Sequence, residues 1–135
     1  MYKSNFLNEI YSRGFIHQAS DISALDELMN KKCITGYIGF DPTNDGLHVG
    51  SLVQLMLLHW MEHFEHKPLI LMGGGTTLVG DPSGRDESRK IMSIDEINNN
   101  IEEIKLTFSN FVNFNKNAII LNNHEWLASQ NYIDF

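Results

Sequence analysis

Two residues that suit phosphate chemistry, His48 and Gly50, stand just after an apolar run ending in Tyr37-Ile38-Gly39-Phe40 and a turn, Asp41-Pro42-Thr43-Asn44-Asp45-Gly46. A strand that turns directly into a helix offers free backbone N–H groups and the positive end of a helix dipole, a setting suited to a polyphosphate. An imidazole in the first turn of that helix can stabilise negative charge that grows during phosphoryl or nucleotidyl transfer. The glycine leaves room for a nucleotide to stack against the helix backbone. Taken singly, His48 equally fits a residue that caps or solvates the helix. Thr43 upstream and Gly50 downstream tip the pattern toward chemistry.

A second block, Gly73-Gly74-Gly75-Thr76-Thr77-Leu78-Val79-Gly80-Asp81-Pro82-Ser83-Gly84-Arg85, is rich in glycine. It is not a P-loop, since no Gly-Lys-Ser/Thr follows, and the dinucleotide spacing G-x-G-x-x-G fails at Leu78. Close approach of the backbone to a ligand explains its glycines better. Read locally, Asp81 before Pro82 is an Asx-type turn former, and Arg85 and Arg89 belong to a solvated charged stretch. Tyr37 alone fits a core tyrosine whose hydroxyl has found a partner. His59 and His63 are one helical turn apart with His66 nearby, but no third ligand has the right spacing, so a zinc site is not expected. His17 and His124 carry no signal. Cys33 reads as a small core residue.

These residues need elements to hold them. Asn5 to Tyr11 suits a short helix with Phe6, Leu7 and Ile10 apolar and Gly14 as its stop. A second helix is expected from Asp21 or Ser23, burying Leu25, Leu28 and Met29. Lys32 to Phe40 reads as a strand ended by Pro42. Leu47 to Glu65 is a long apolar helix, and Pro68 to Met72 a short run of the kind buried on both faces of a parallel sheet. Gly73 to Gly84 is expected to be a loop. Ser93 and Glu96 make a capping box for a helix with Ile97, Ile101, Ile104 and Phe108 on one face. Ala118 to Leu121 is a third strand, and Glu125 to Tyr132 starts another helix. The alternation gives an α/β fold with right-handed parallel crossovers, the first half of a doubly wound sheet. Ligands bind off the carboxyl ends of such strands, so both glycine-bearing loops should line one crevice.

The 135 residues, 42% hydrophobic and 20% charged, fit one ordinary globular domain. No apolar run approaches the ~20 residues that span a bilayer. The start, Met1-Tyr2-Lys3-Ser4-Asn5, has no apolar core or cleavage site for secretion, and the single cysteine rules out an internal disulfide. Both point to a cytoplasmic setting. A net charge of −7 argues against a nucleic-acid surface on this segment by itself. The last residues look like a helix without a stop signal, and three strands leave apolar surface uncovered, so the chain reads as part of a larger domain.

Three blocks in fixed order, Tyr37–Ser51, Gly73–Arg85 and Asn122-Asn123-His124-Glu125-Trp126, resemble the start of the catalytic domain of bacterial-type tyrosyl-tRNA synthetases, which are class I aminoacyl-tRNA synthetases. His48-Val49-Gly50-Ser51 is similar to the family's His-Ile-Gly-His signature, with Ser51 replacing the second histidine. The resemblance implies a Rossmann-like sheet. Residues 1–31 would form a helical N-terminal segment, and 32–135 the nucleotide- and amino-acid-binding region. It further implies ATP-dependent activation of tyrosine to tyrosyl-adenylate, followed by transfer to tRNA(Tyr). ATP with Mg2+ would be co-substrate, with no metal held by protein side chains.

By the same resemblance Thr43 and His48 are catalytic and meet the ATP γ-phosphate. Gly39, Asp41, Gly50, Ser51, Arg85 and Arg89 lie on the ATP side, the two arginines at the leaving pyrophosphate. Tyr37, Thr76, Asp81 and Asn123 would hold tyrosine, with Tyr37 on the phenol and Asp81 on the α-ammonium. A polar group left unpaired by phenylalanine would give selectivity, an effect for which tyrosyl-tRNA synthetases are the standing example. The second phosphate-clamping loop, the partner carboxylate of Tyr37 and the tRNA contacts would lie beyond residue 135, in an enzyme expected to be a homodimer. Two rivals stand beside this reading: another nucleotidyltransferase of the superfamily, and a domain that binds a ligand or partner without turnover.

Overall fold

The computed structural model describes residues 1–79 and 92–131. In chain order the elements are α1 (Asn5–Ser12), α2 (Ile22–Lys31), β1 (Thr35–Phe40), α3 (Ser51–His63), β2 (Lys67–Met72), α4 (Gly74–Val79), α5 (Ile94–Phe108), β3 (Ile119–Asn122) and α6 (His124–Leu127). The sheet has the order β1-β2-β3 and both pairings are parallel. Sheet order therefore equals chain order. None of the described helices is long and apolar enough to cross a membrane.

Short-range chemistry sets the helix ends. Ser4 accepts the Leu7 N–H and Asp21 the Ala24 N–H, opening α1 and α2. Ser93 and Glu96 form the expected reciprocal capping box on α5. At the far end of α1, Gly14 takes the left-handed conformation (φ 75°) and the Phe15 N–H reaches back to the Ile10 carbonyl at 2.9 Å. The same closure ends α3, with the His66 N–H on the Met61 carbonyl at 2.9 Å, but there Glu65 holds the left-handed position (φ 63°). Gly14 thus acts as the stop its type suggested, whereas α3 stops without a glycine.

Period-2 alternation splits the sheet into two unlike faces. Phe40, Ile70 and Met72 point to the face covered by α3 and α5, where they meet Leu55, Leu58, Ile97, Ile101, Ile104 and Phe108. The Phe40 and Phe108 rings meet edge to face at 4.9 Å. On the opposite face the register aligns Tyr37 with Leu69 and Ile119, and Gly39 with Leu71 and Leu121. Tyr37, Ile119 and Leu121 are exposed there, and Leu69 and Leu71 only partly buried. The expectation that the β2 run is buried on both faces is therefore corrected. Both crossover helices sit on one side, and no described element covers the other.

A second cluster joins α1 and α2 to α3 through Phe6, Leu7, Ile10, Met29 and Met61. Leu28, expected inside, is exposed, because α2 turns Met29 inward together with Asp26, three residues before it. Cys33 is exposed as well, since it lies in the link between α2 and β1 rather than in the strand, which begins only at Thr35.

Asp26 is a buried acid that ties the chain start to α2. Its carboxylate accepts the Lys3 N–H at 2.9 Å and the Ser4 N–H at 2.7 Å. Burial raises its pKa, but those two N–H donors, with the charges of Lys3 and the N-terminus, outweigh burial and hold it below the usual carboxylate value. Burial pushes the His66 imidazole down, and its Nδ1 accepts the Ile34 N–H at 3.4 Å. Both shifts are depressions, so both contribute stability that is present above the unfolded-state pKa and lost on acidification. The expected profile falls first below about pH 6.5, as unfolded His66 protonates more readily than folded, and again below about pH 3.9 for Asp26. Urea unfolding against pH tests this. Asp26→Asn should flatten the lower step and His66→Gln the upper one, and a mutant profile parallel to the parent's would refute the assignment.

Candidate active site

The ends of all three strands are stitched together. The Gly73 N–H donates to the Phe40 carbonyl at 2.8 Å, and the Asn123 N–H to the Met72 carbonyl at 2.9 Å. The segments after β1, β2 and β3 therefore leave the sheet side by side at its carboxyl edge, as the alternation of elements predicted.

After β2 the chain does not form the loop expected over Gly73 to Gly84. It enters α4 at once, and the remainder of that stretch lies outside the described residues. The cause is tertiary. Asn122 Oδ1 accepts the Gly74 N–H at 3.2 Å, and Asn123 Oδ1 accepts the Gly75 N–H at 2.7 Å, so two side-chain amides, at the end of β3 and just after it, cap a helix remote in sequence. A Cβ on Gly74 would come within 2.4 Å of Asn122 Oδ1. Close packing against Asn122 and against the segment after β3 thus accounts for glycine at 74 and 75.

Thr76 and Asn123 share one network. Asn123 Nδ2 donates to Thr76 Oγ1 at 3.2 Å, and Thr76 Oγ1 donates to the Gly73 carbonyl at 3.1 Å. Asp41 reaches the same place from β1, for a Cβ built on Gly73 would lie 2.3 Å from Asp41 Oδ1 and 2.7 Å from Thr76 Oγ1. The structure so brings together Asp41, Thr76 and Asn123. Tyr37 stands on the open sheet face, 71% exposed, with Gly39 two residues further along β1 on the same face. Among the described residues, Tyr37 is not part of the core.

The turn after β1 is held from two sides. Pro42 is fully buried, and the Asn100 side chain of α5 donates to its carbonyl at 2.9 Å. The Thr43 N–H donates to the Asp41 carbonyl at 2.9 Å, and the Thr43 side chain is exposed. The helix expected from Leu47 starts only at Ser51, so His48 lies in the turn before it. That turn is closed by the Ser51 N–H on the His48 carbonyl and the Leu52 N–H on the Val49 carbonyl. His48 is exposed, and its Nδ1 accepts the Gly50 N–H at 3.0 Å. Ser51 is 6% exposed. Asp81, Arg85 and Arg89 lie outside the described residues. His59 Nδ1 is 2.8 Å from the Phe111 carbonyl, which places that histidine in the packing of α3 against the segment leading to β3.

Asn100 was not singled out from sequence, and Asn122 entered only as part of the third block, with no role. Asn100 borders the apolar stripe between Ile97 and Ile101, and Asn122 ends an apolar strand. An amide at either place signals backbone left to satisfy.

A parallel sheet with crossover helices, whose following segments gather at one carboxyl edge, defines an α/β fold of the doubly wound kind. Residues 29–135 match the family described as tRNA synthetases class I (W and Y), and the chain belongs to that family. Among its relatives it is 51% identical over 137 residues to a tyrosine–tRNA ligase of Brucella abortus (strain 2308), and 52% identical over 136 residues to that of Nitrobacter winogradskyi. These alignments cover 99% and 98% of this chain but 33% of each relative, so the chain spans about a third of the length of the curated relatives it matches. A C-terminally truncated mitochondrial tyrosyl-tRNA synthetase of Aspergillus nidulans shares the fold, with a TM-score of 0.77 and 23% identity over 96% of this chain and 40% of that one. The corresponding Coccidioides posadasii structure gives 0.70 at 26% identity, covering 96% of this chain and 38% of that one.

Proposed function

We propose that this chain is the N-terminal part of the catalytic domain of a tyrosine–tRNA ligase, with 1–31 as a helical approach and 32–135 as the nucleotide- and amino-acid-binding region. The tyrosine carboxylate attacks the α-phosphorus of ATP, the bond to the β-phosphate oxygen breaks, and pyrophosphate leaves with its magnesium. The tyrosyl group then passes to tRNA(Tyr), held by parts of a cytoplasmic homodimeric enzyme outside this third. No covalent intermediate with the protein is needed. The protein supplies position and charge.

One observation carries the reading: Asp41, Thr76 and Asn123 meet at the carboxyl edge beside an exposed Tyr37. An amino acid laid over the open face of β1 would set its phenol toward Tyr37 and its polar end toward Thr76 and Asn123, leaving Asp41 to the ATP side. Asp81, Arg85 and Arg89 complete the assignment on the family's pattern. Asn123 accepts the Gly75 N–H and donates to Thr76, so it also holds Thr76 in place.

The test is selectivity. At the relatives' full length, Tyr37→Phe should lower discrimination of tyrosine over phenylalanine several-fold, since one neutral hydrogen bond contributes roughly 0.5–1.5 kcal/mol. Pyrophosphate exchange with each amino acid reads the ratio of kcat/KM. An unchanged ratio removes Tyr37 from the substrate pocket.

A further inference from the structure

The backbone at Gly50, φ −62° and ψ −27°, is helical and open to any residue. Conformation therefore does not require glycine at 50. Space does. Beyond the adjoining backbone, a Cβ at this position would meet His48 alone, at 2.7 Å from Cε1, 2.8 Å from Nδ1 and 4.0 Å from Nε2. The ring lies with its Cε1–Nδ1 edge over position 50, in the volume a side chain would take.

The hydrogen bond fixes more than the rotamer. A backbone N–H can only donate, so Nδ1, 3.0 Å from the Gly50 nitrogen, must accept and carries no proton. In the neutral ring the proton then sits on Nε2, at the far side of the imidazole, as a donor facing away from the turn.

We infer that Gly50 is a positioning residue for His48: its missing side chain makes the seat for the ring, and its N–H selects the tautomer that points an Nε2–H donor outward. The inference rests on the reading that His48 meets phosphate charge, and it gives Gly50 a role other than a platform for the nucleotide. Asx-type turns place a side-chain acceptor on the N–H two residues on in the same way, here with an imidazole as acceptor.

The experiment uses the full-length protein with 15N-labelled histidine, comparing the parent with Gly50→Ala, His48→Ala and the double variant. In Gly50→Ala the nuclear Overhauser contact between the His48 ring and the residue-50 amide should disappear. Tyrosyl-adenylate formation should fall at least tenfold, toward the ~10²–10³-fold loss typical of removing one preorganised donor. On the His48→Ala background the same substitution should cost nothing further, because a residue that acts through His48 has nothing left to place. A ring contact unchanged by the alanine overturns the inference. So does a loss that persists without His48, which would mark a direct clash with nucleotide, and so does a normal rate in Gly50→Ala when His48→Ala is slow. If His48→Ala itself runs at the parental rate, the proposed role of His48 fails, while disappearance of the contact still upholds its placement by Gly50.

Discussion

His48→Ala, at the relatives' full length, is expected to slow tyrosyl-adenylate formation by about 10²–10³-fold, roughly 2.7–4 kcal/mol of transition-state stabilisation. Tyrosine affinity should stay nearly unchanged. The two halves of that result belong together. An exposed imidazole in the turn between β1 and α3 touches neither Thr76 nor Asn123, the pair assigned to the amino acid. It is placed to meet charge that grows on phosphate oxygens, and an interaction stronger in the transition state than in the ground state moves the rate rather than binding. Thr43→Ala should act in the same direction, since its exposed hydroxyl lies on the same turn. Single-turnover kinetics with equilibrium tyrosine binding decides the matter. Weakened tyrosine binding at an intact rate would make His48 a structural residue.

The largest effect on stability is expected at Phe108. Its side chain is fully buried, packs edge to face on Phe40 and closes the layer between α5 and the sheet. Truncating a core phenylalanine to alanine costs about 3–5 kcal/mol, through lost transfer energy and the cavity left behind. Whole domains are stable by only about 5–15 kcal/mol, so Phe108→Ala should remove a large part of the total and shift the urea midpoint strongly. Leu106, two residues earlier on the same helix and 65% exposed, is the matched control. Leu106→Ala should stay within about 0.5 kcal/mol. Similar losses at both positions would mean that α5 presents a different face to the sheet.

Much of this architecture was legible because local and global signals agreed. The α5 stripe of Ile97, Ile101, Ile104 and Phe108 follows one helical face, its capping box sits at Ser93 and Glu96, and the apolar β2 run leaves few alternatives. Reading failed where one residue's role is set by another far along the chain. Gly74-Gly75 looks like a loop until Asn122 and Asn123 cap it. In α2 both Leu28 and Met29 suit a partner at Leu25, and the choice between them is made by the burial of Asp26 under Lys3 and Ser4. The late start of α3 hangs on the turn closed over His48. Of the candidate site, the residue types were readable and the resemblance put Thr76 with Asn123, but the place of Asp41 beside them was not legible. No sequence pattern announces that Asp41 and Thr76 crowd the same point above Gly73.

Sheet order equal to chain order bears on how the protein is made. Among the described strands, each pairs with the one synthesised immediately before it, across α3 in the first case and across a stretch that holds α4 and α5 in the second. Closing a loop of one crossover costs little entropy compared with bringing distant segments together, and pairings between near neighbours in sequence favour fast folding. As the chain emerges from the ribosome, β2 finds β1 already available, and β3 then finds β2. The register that sets Tyr37 beside Leu69 can therefore form early in synthesis, before any later part of the polypeptide exists to compete for the open edge of β1.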